Sequence, residues 1–127
     1  ASRRSPCSPR SRSRTERSKS VSTDLARGLE LARTGEYFEA HEALEDAWRA
    51  SEPDEKDFFQ GLVHVVVAWY QASRGNRVGF ERQLEKAERR LGPFAPEHRG
   101  VDVEAVLRQV AAARAAGSLD PPPLEVP

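Results

Sequence analysis

The sequence predicts an all-α protein: a compact bundle of about five helices with an apolar central helix, preceded by a disordered N-terminal tail. Apolar residues recur at helical spacing in five segments that glycine or proline separates. One segment is apolar around most of its circumference, as a central helix must be, and no segment alternates with the period of a strand. We therefore predict a tail over residues 1–22, a helical domain over 23–117, and a proline-rich extended C-terminus over 118–127 that lies on the surface.

The tail differs from the rest of the chain in composition and charge. It has no large apolar side chain before Val21, so nothing offsets the entropy of ordering it. Residues 1–20 carry seven basic residues against one acidic residue, a net charge of +6, and the remainder carries 13 against 19, a net charge of −6. This Arg/Ser-rich segment could be an electrostatic arm, a transit peptide or an extension without function. Nucleic acid is expected to bind only through the tail, because the acidic domain repels phosphate.

The first two helices are predicted from their ends. The first runs over residues 23–35, with Ser22 or Thr23 as its N-cap, and ends at a glycine. The second runs over residues 36–50, and Pro53 prevents its continuation. In both, the apolar residues recur at helical spacing, and in the first they mark a buried stripe.

The third helix is predicted over residues 54–73 and is the apolar central one. The fourth follows Gly75–Asn76 and ends at Leu91. The fifth is capped by Asp102 and ends at Gly117. We expect a loop between the fourth and fifth helices.

Two groups of polar residues lie where apolar residues are expected. His41 and Glu45 lie four residues apart within the apolar arc of the second helix. The third helix carries one narrow polar stripe, made of Asp57, Gln60, His64 and Gln71. Because buried polar groups need partners, part of this stripe could face His41 and Glu45. Alternatively, the stripe faces water. His98, in the predicted loop, is expected to be exposed, and Gly61 to mark a close approach of two helices.

The His41–Glu45 pair has two interpretations. It could be a buried structural contact that fixes the register of the helix. It could also be an acid/base or ligand pair, since a carboxylate favours the protonated form of a neighbouring imidazole. A metal would need a third ligand, His64 or Glu42, and the run lacks the second histidine of the zinc-protease helix. We expect neither metal nor cofactor; the alternative metal ligands are His41, Glu45 and His64.

One family has a similar pattern of residues. The run Tyr37–Arg49 (YFEAHEALEDAWR), the pair Gln60-Gly61 and the break Arg74-Gly75-Asn76 follow one another in the same order as in this family. Over Leu25 to Ala116 the chain resembles the bacterial and archaeal family called domain of unknown function 309. The resemblance implies a compact helical bundle and no particular activity. It places the family's characteristic polar residues at the following positions: His41, Glu42, Glu45, Gln60 and Asn76.

The function expected from these observations is association, either with another copy of the chain or with another protein, with His41 and Glu45 as a structural cluster. The candidate polar cluster consists of His41, Glu42, Glu45, Gln60, His64 and Asn76. The alternative is a small hydrolase-like or metal-dependent enzyme that uses His41 and Glu45. The longest apolar run, interrupted by His64, is shorter than the roughly 18 residues that a membrane span needs. No membrane is therefore expected as a partner. The single cysteine, Cys7, favours a reducing compartment, so we expect a cytoplasmic protein, or an organellar one if the tail is a transit peptide.

Overall fold

The computed structural model describes residues 14–127, and this part of the chain is an all-α bundle, as predicted. Its helices are α1 (Arg14–Arg33), α2 (Tyr37–Ala50), α3 (Lys56–Ser73), α4 (Arg77–Leu91) and α5 (Val103–Ala116). Single 3₁₀ turns cover Pro53–Glu55 and Gly92–Phe94. Two short antiparallel strands, β1 (Glu97–His98) and β2 (Val101–Asp102), form a hairpin where a loop was predicted.

The first helix begins earlier than predicted. It starts at Arg14 rather than near Thr23, so residues 14–22 of the predicted disordered tail are helical. This segment contains neither glycine nor proline, and Val21 is buried one turn before the buried Leu25. The apolar stripe of α1 is therefore longer than the composition of the tail indicated. The remainder of the predicted tail, residues 1–13, lies outside the described residues.

The predicted cap of α5, Asp102, is confirmed, and Asn76, predicted only as part of the break before the fourth helix, is the cap of α4. The Asn76 side chain accepts a hydrogen bond from Gly79 N at 2.9 Å, and the Asp102 side chain accepts one from Ala105 N at 2.9 Å. These bonds satisfy backbone donors that a helix start leaves without partners. Gly117 ends α5 with a φ of 67°, in the left-handed region that glycine adopts without steric cost.

The central position of α3 is also confirmed, because it packs against both α2 and α4 and buries most of its side chains. Phe58 and Phe59 are fully buried in the core that it shares with these helices. Gly61 lies at a close approach of α3 and α4, where an added Cβ would be 2.6 Å from Leu91 Cγ. No helix within residues 14–127 has both the length and the apolar composition needed to cross a membrane.

The C-terminal segment, residues 118–127, has neither helix nor strand, but part of it is buried rather than on the surface. Leu124 and Val126 are both buried. They face the same side because alternate side chains of an extended segment do so. Trp69 Nε1 donates to Pro122 O at 2.9 Å, and Leu124 N donates to the Tyr37 hydroxyl at 3.2 Å. The segment therefore completes the core.

Candidate functional site

The predicted His41–Glu45 contact is present on α2, but it is not buried. His41 Nε2 lies 3.2 Å from Glu45 Oε2, and the two side chains are 25% and 35% exposed. The buried face of α2 is formed by small residues and Leu44, and the pair lies beside that face. The contact consequently belongs to the surface of the bundle, which corrects the expectation of a core pair.

Further charged side chains surround this pair. Glu45 Oε1 accepts from Arg49 at 3.3 Å, and Arg49 also donates to Asp46 at 2.9 Å. Asp46 lies 3.7 Å from the guanidinium of Arg27, which connects α2 to α1. Exposed ion pairs of this kind each contribute about 0–1 kcal/mol. These charges and Glu42 line a shallow groove on the surface.

His64 lies elsewhere, between α3 and α4. Its Nδ1 is 2.7 Å from Gln83 Oε1 and donates to that acceptor. Burial lowers the pKa of His64 below its ordinary value, and the positive charges of Arg90, Lys86 and Arg89 lower it further, while the bond to Gln83 acts in the opposite direction. His64 is therefore neutral at pH 7.

The rest of the polar stripe on α3 also finds its partners on the side of α4. Asp57 accepts from Arg90 at 2.5 Å, and Gln71 accepts from Asn76 Nδ2 at 3.0 Å. The expectation that part of the stripe faces His41 and Glu45 is therefore wrong. Gln60 is partly exposed on this stripe, apart from that pair.

The alternative metal ligands are accordingly not brought together. His64 bonds to α4, whereas His41 and Glu45 lie on the surface of α2. Within residues 14–127, no group of three or more His, Cys, Asp or Glu side chains is arranged to hold a metal ion. Asn76, the remaining member of the predicted cluster, is the N-cap of α4.

An exposed aromatic group lies next to His41. The Phe38 side chain is 47% exposed, and its ring centroid is 5.6 Å from that of Tyr70 and 5.8 Å from that of His41. The Arg74 guanidinium lies 5.8 Å from the centroid of Tyr70. We call Phe38, His41, Glu42, Tyr70 and Arg74 the Phe38 face. Neither Phe38 nor Tyr70 stands out in the sequence, because both occur in patterns that also fit a core.

A second histidine–glutamate pair was missed altogether. His98 Nε2 lies 2.8 Å from one carboxylate oxygen of Glu55 and 3.1 Å from the other. The His98 ring is also 4.7 Å from the ring of Phe58 and 4.8 Å from that of Phe94, centroid to centroid. Glu55 accepts a further bond from Arg99 at 3.3 Å. The prediction that His98 is exposed is therefore wrong, since its side chain is 28% exposed and packs against two aromatic rings that also contact each other.

Arg99 holds this second pair in place from the tip of the hairpin. Its φ of 50° is in the left-handed region, which costs energy for a residue with a side chain. The guanidinium lies 5.3 Å from the centroid of Phe59 and 3.4 Å from Ser22 Oγ on α1. The hairpin is thereby tied to both α1 and α3.

Comparison with known proteins supports the resemblance found in the sequence. The family described as Domain of unknown function (DUF309) matches residues 25–83. The uncharacterized protein YpuF of Bacillus subtilis is 35% identical over 75 residues, which are 58% of this chain and 41% of YpuF. The chain thus spans less than half the length of that relative. The resemblance to the family is confirmed over residues 25–83; the predicted extension to Ala116 is not covered by the match.

The matched residues include the whole Phe38 face and none of the hairpin. The five residues of the face lie between positions 38 and 74, whereas His98 and Arg99 come after the matched segment. The surface around Phe38 is therefore the candidate site within the family segment. The His98–Glu55 pair joins that segment to the part of the domain that follows it.

Proposed function

We propose that the domain acts through association with protein, and that the Phe38 face is the surface it uses. Phe38 and Val78 are the two large hydrophobic residues that are exposed in the described part of the chain, at 47% and 61%. Val78 is a single aliphatic side chain, whereas Phe38 is grouped with Tyr70, His41 and Arg74. Aromatic and arginine side chains are enriched in protein interfaces and supply most of their binding energy.

The His41–Glu45 pair takes a structural role in this proposal. Glu45 accepts from His41 Nε2 at 3.2 Å, which fixes the imidazole beside the Phe38 ring. A side chain that is already ordered loses less conformational entropy when a partner binds. The pair therefore orders the His41 side chain of the Phe38 face before a partner binds.

The alternative, a hydrolase-like or metal-dependent enzyme that uses His41 and Glu45, has less support. The groove at this pair is shallow and lined by charged side chains, whereas small-molecule sites are concave and mostly apolar. The third ligand considered in the sequence, His64, bonds to Gln83 instead. An exposed aromatic group beside the pair is more typical of an interface.

Site-specific crosslinking tests the proposal. A photoreactive phenylalanine analogue replaces Phe38 in one sample and Val78, the matched exposed control, in another. Illumination of cells that produce the full chain should give a discrete adduct from position 38 and none from position 78. Combining the analogue at position 38 with Arg74→Ala should weaken the adduct, because the arginine belongs to the same surface. Equal adducts from both positions, or none from either, would contradict the proposal.

A further inference from the structure

We infer that the partner on the Phe38 face is a second copy of this chain, bound across a two-fold axis through the Phe38–Tyr70 ring pair. The inference rests on the proposed function and names the partner. What carries it is the position of two charges, Glu42 and Arg74, on opposite sides of the two rings. Such a surface is complementary to itself, which is what a two-fold dimer requires.

The opposite positions follow from the antiparallel packing of α2 and α3. At one end of the helix pair Phe38 lies beside Tyr70, and at the other end Lys56 Nζ donates to Trp48 O at 2.6 Å. Glu42 follows Phe38 by four residues on α2, about 6 Å along that helix. Arg74, at the end of α3, follows Tyr70 by four residues. Because the helices run in opposite directions, the acid lies on one side of the ring pair and the base on the other.

Both charges are exposed, and neither belongs to an ion pair within residues 14–127. Their neighbours differ from them, because Glu45 and Asp46 both pair with Arg49 on the same helix. The Arg74 guanidinium lies 5.8 Å from the centroid of the Tyr70 ring, and its N–H groups are donors that a carboxylate can accept from. Glu42 and Arg74 are thus the charges of this face that a partner can use.

A rotation of 180° about an axis through the ring pair exchanges its two sides. The operation brings Glu42 of each copy opposite Arg74 of the other, and the Phe38 and Tyr70 rings meet in the middle. The result is an aromatic centre with an ion pair on each side, the usual arrangement of a polar rim around an apolar core. Opposite charges at these positions also select this register over others.

Charge reversal tests this arrangement by sedimentation equilibrium of the full chain. Wild type should form a dimer. Glu42→Arg alone places two arginines opposite each other at both sites, and Arg74→Glu alone places two glutamates there. Each variant should weaken dimerisation by at least roughly tenfold, because like charges at an interface repel. Glu85→Arg, an exposed reversal on α4, is the matched control and should dimerise as wild type does.

An equimolar mixture of Glu42→Arg and Arg74→Glu should recover the dimer, as a heterodimer in which both pairs are again attractive. This recovery also shows that each variant is folded. A monomeric wild type, or a mixture that stays as weak as its components, would overturn the inference. A monomeric wild type with a crosslink from position 38 to a different protein would refute the second copy and leave the association intact. Absence of both dimer and crosslink would refute the two together.

Discussion

The two histidine–glutamate pairs of this domain have similar atoms in contact but different surroundings. His41 and Glu45 lie on one helix, four residues apart, with Arg49 competing for the same carboxylate. His98 and Glu55 are separated by 43 residues, and Glu55 is 19% exposed. The two imidazoles are similarly exposed, at 25% and 28%, but His98 also packs against the rings of Phe58 and Phe94, which contact each other. The pair that is easily found in the sequence therefore lies within one helix, whereas the pair that was missed links two distant segments.

The two pairs also differ in the parts of the chain that each contact connects. The bond from His41 to Glu45 adds to a turn of helix that the backbone already fixes. The bond from His98 to Glu55 connects the β1–β2 hairpin to the segment before α3. Because the second contact holds separate segments together, its loss should free more of the chain.

The largest expected effect is that of His98→Ala. This change removes two aromatic contacts and leaves Glu55 with one fewer donor, so we expect the free energy of unfolding to fall by about 2–4 kcal/mol. The matched control, His41→Ala, should lower it by less than about 1 kcal/mol, because its contact with Glu45 lies within one helix and joins no separate segments. Urea denaturation of both variants beside wild type measures the two changes. Equal losses would remove the distinction between the pairs.

The sequence was sufficient for the features that depend on local periodicity and capping. The five helices, the cap Asp102 and the close approach at Gly61 all follow from residue types at fixed spacing. The start of α1 was missed, because a charged segment can continue a helix when one of its residues, Val21, is buried. Composition alone did not show that burial.

Contacts between distant segments were not predictable in the same way. The polar stripe of α3 was visible in the sequence, but whether α2 or α4 covers it depends on the packing of whole helices. His98 lies on a hairpin that places it beside Glu55. The two strands of this hairpin have two residues each, which is too short to leave a strand pattern in the sequence. The sequence thus indicated most of the candidate site residues, but not the residues that their side chains contact.

His64 extends the comparison to a histidine whose partner is an amide. Its folded-state pKa is lowered by burial, so the unfolded chain binds a proton first as the pH falls below about 6.5. The contribution of neutral His64 is complete above that value and is lost as the pH falls toward the folded-state pKa. Between about pH 7.5 and about pH 5, unfolding free energy should decrease more steeply for wild type than for His64→Gln. Parallel curves from urea denaturation at each pH would argue against a neutral, buried His64.

The smallest expected effect is that of Glu45→Ala. A buried imidazole that lost its acceptor would cost about 1–3 kcal/mol, but the His41 side chain is 25% exposed, so water can replace the carboxylate. We therefore expect a loss of less than about 1 kcal/mol, and part of that loss comes from Arg49, whose guanidinium keeps its other acceptor, Asp46. Glu55→Ala, measured in the same urea denaturation series, should cost more, because that change leaves both His98 and Arg99 without their shared carboxylate. If Glu45→Ala lowered the free energy of unfolding more than Glu55→Ala did, the His41–Glu45 pair would be the more stabilising of the two, contrary to the comparison made above.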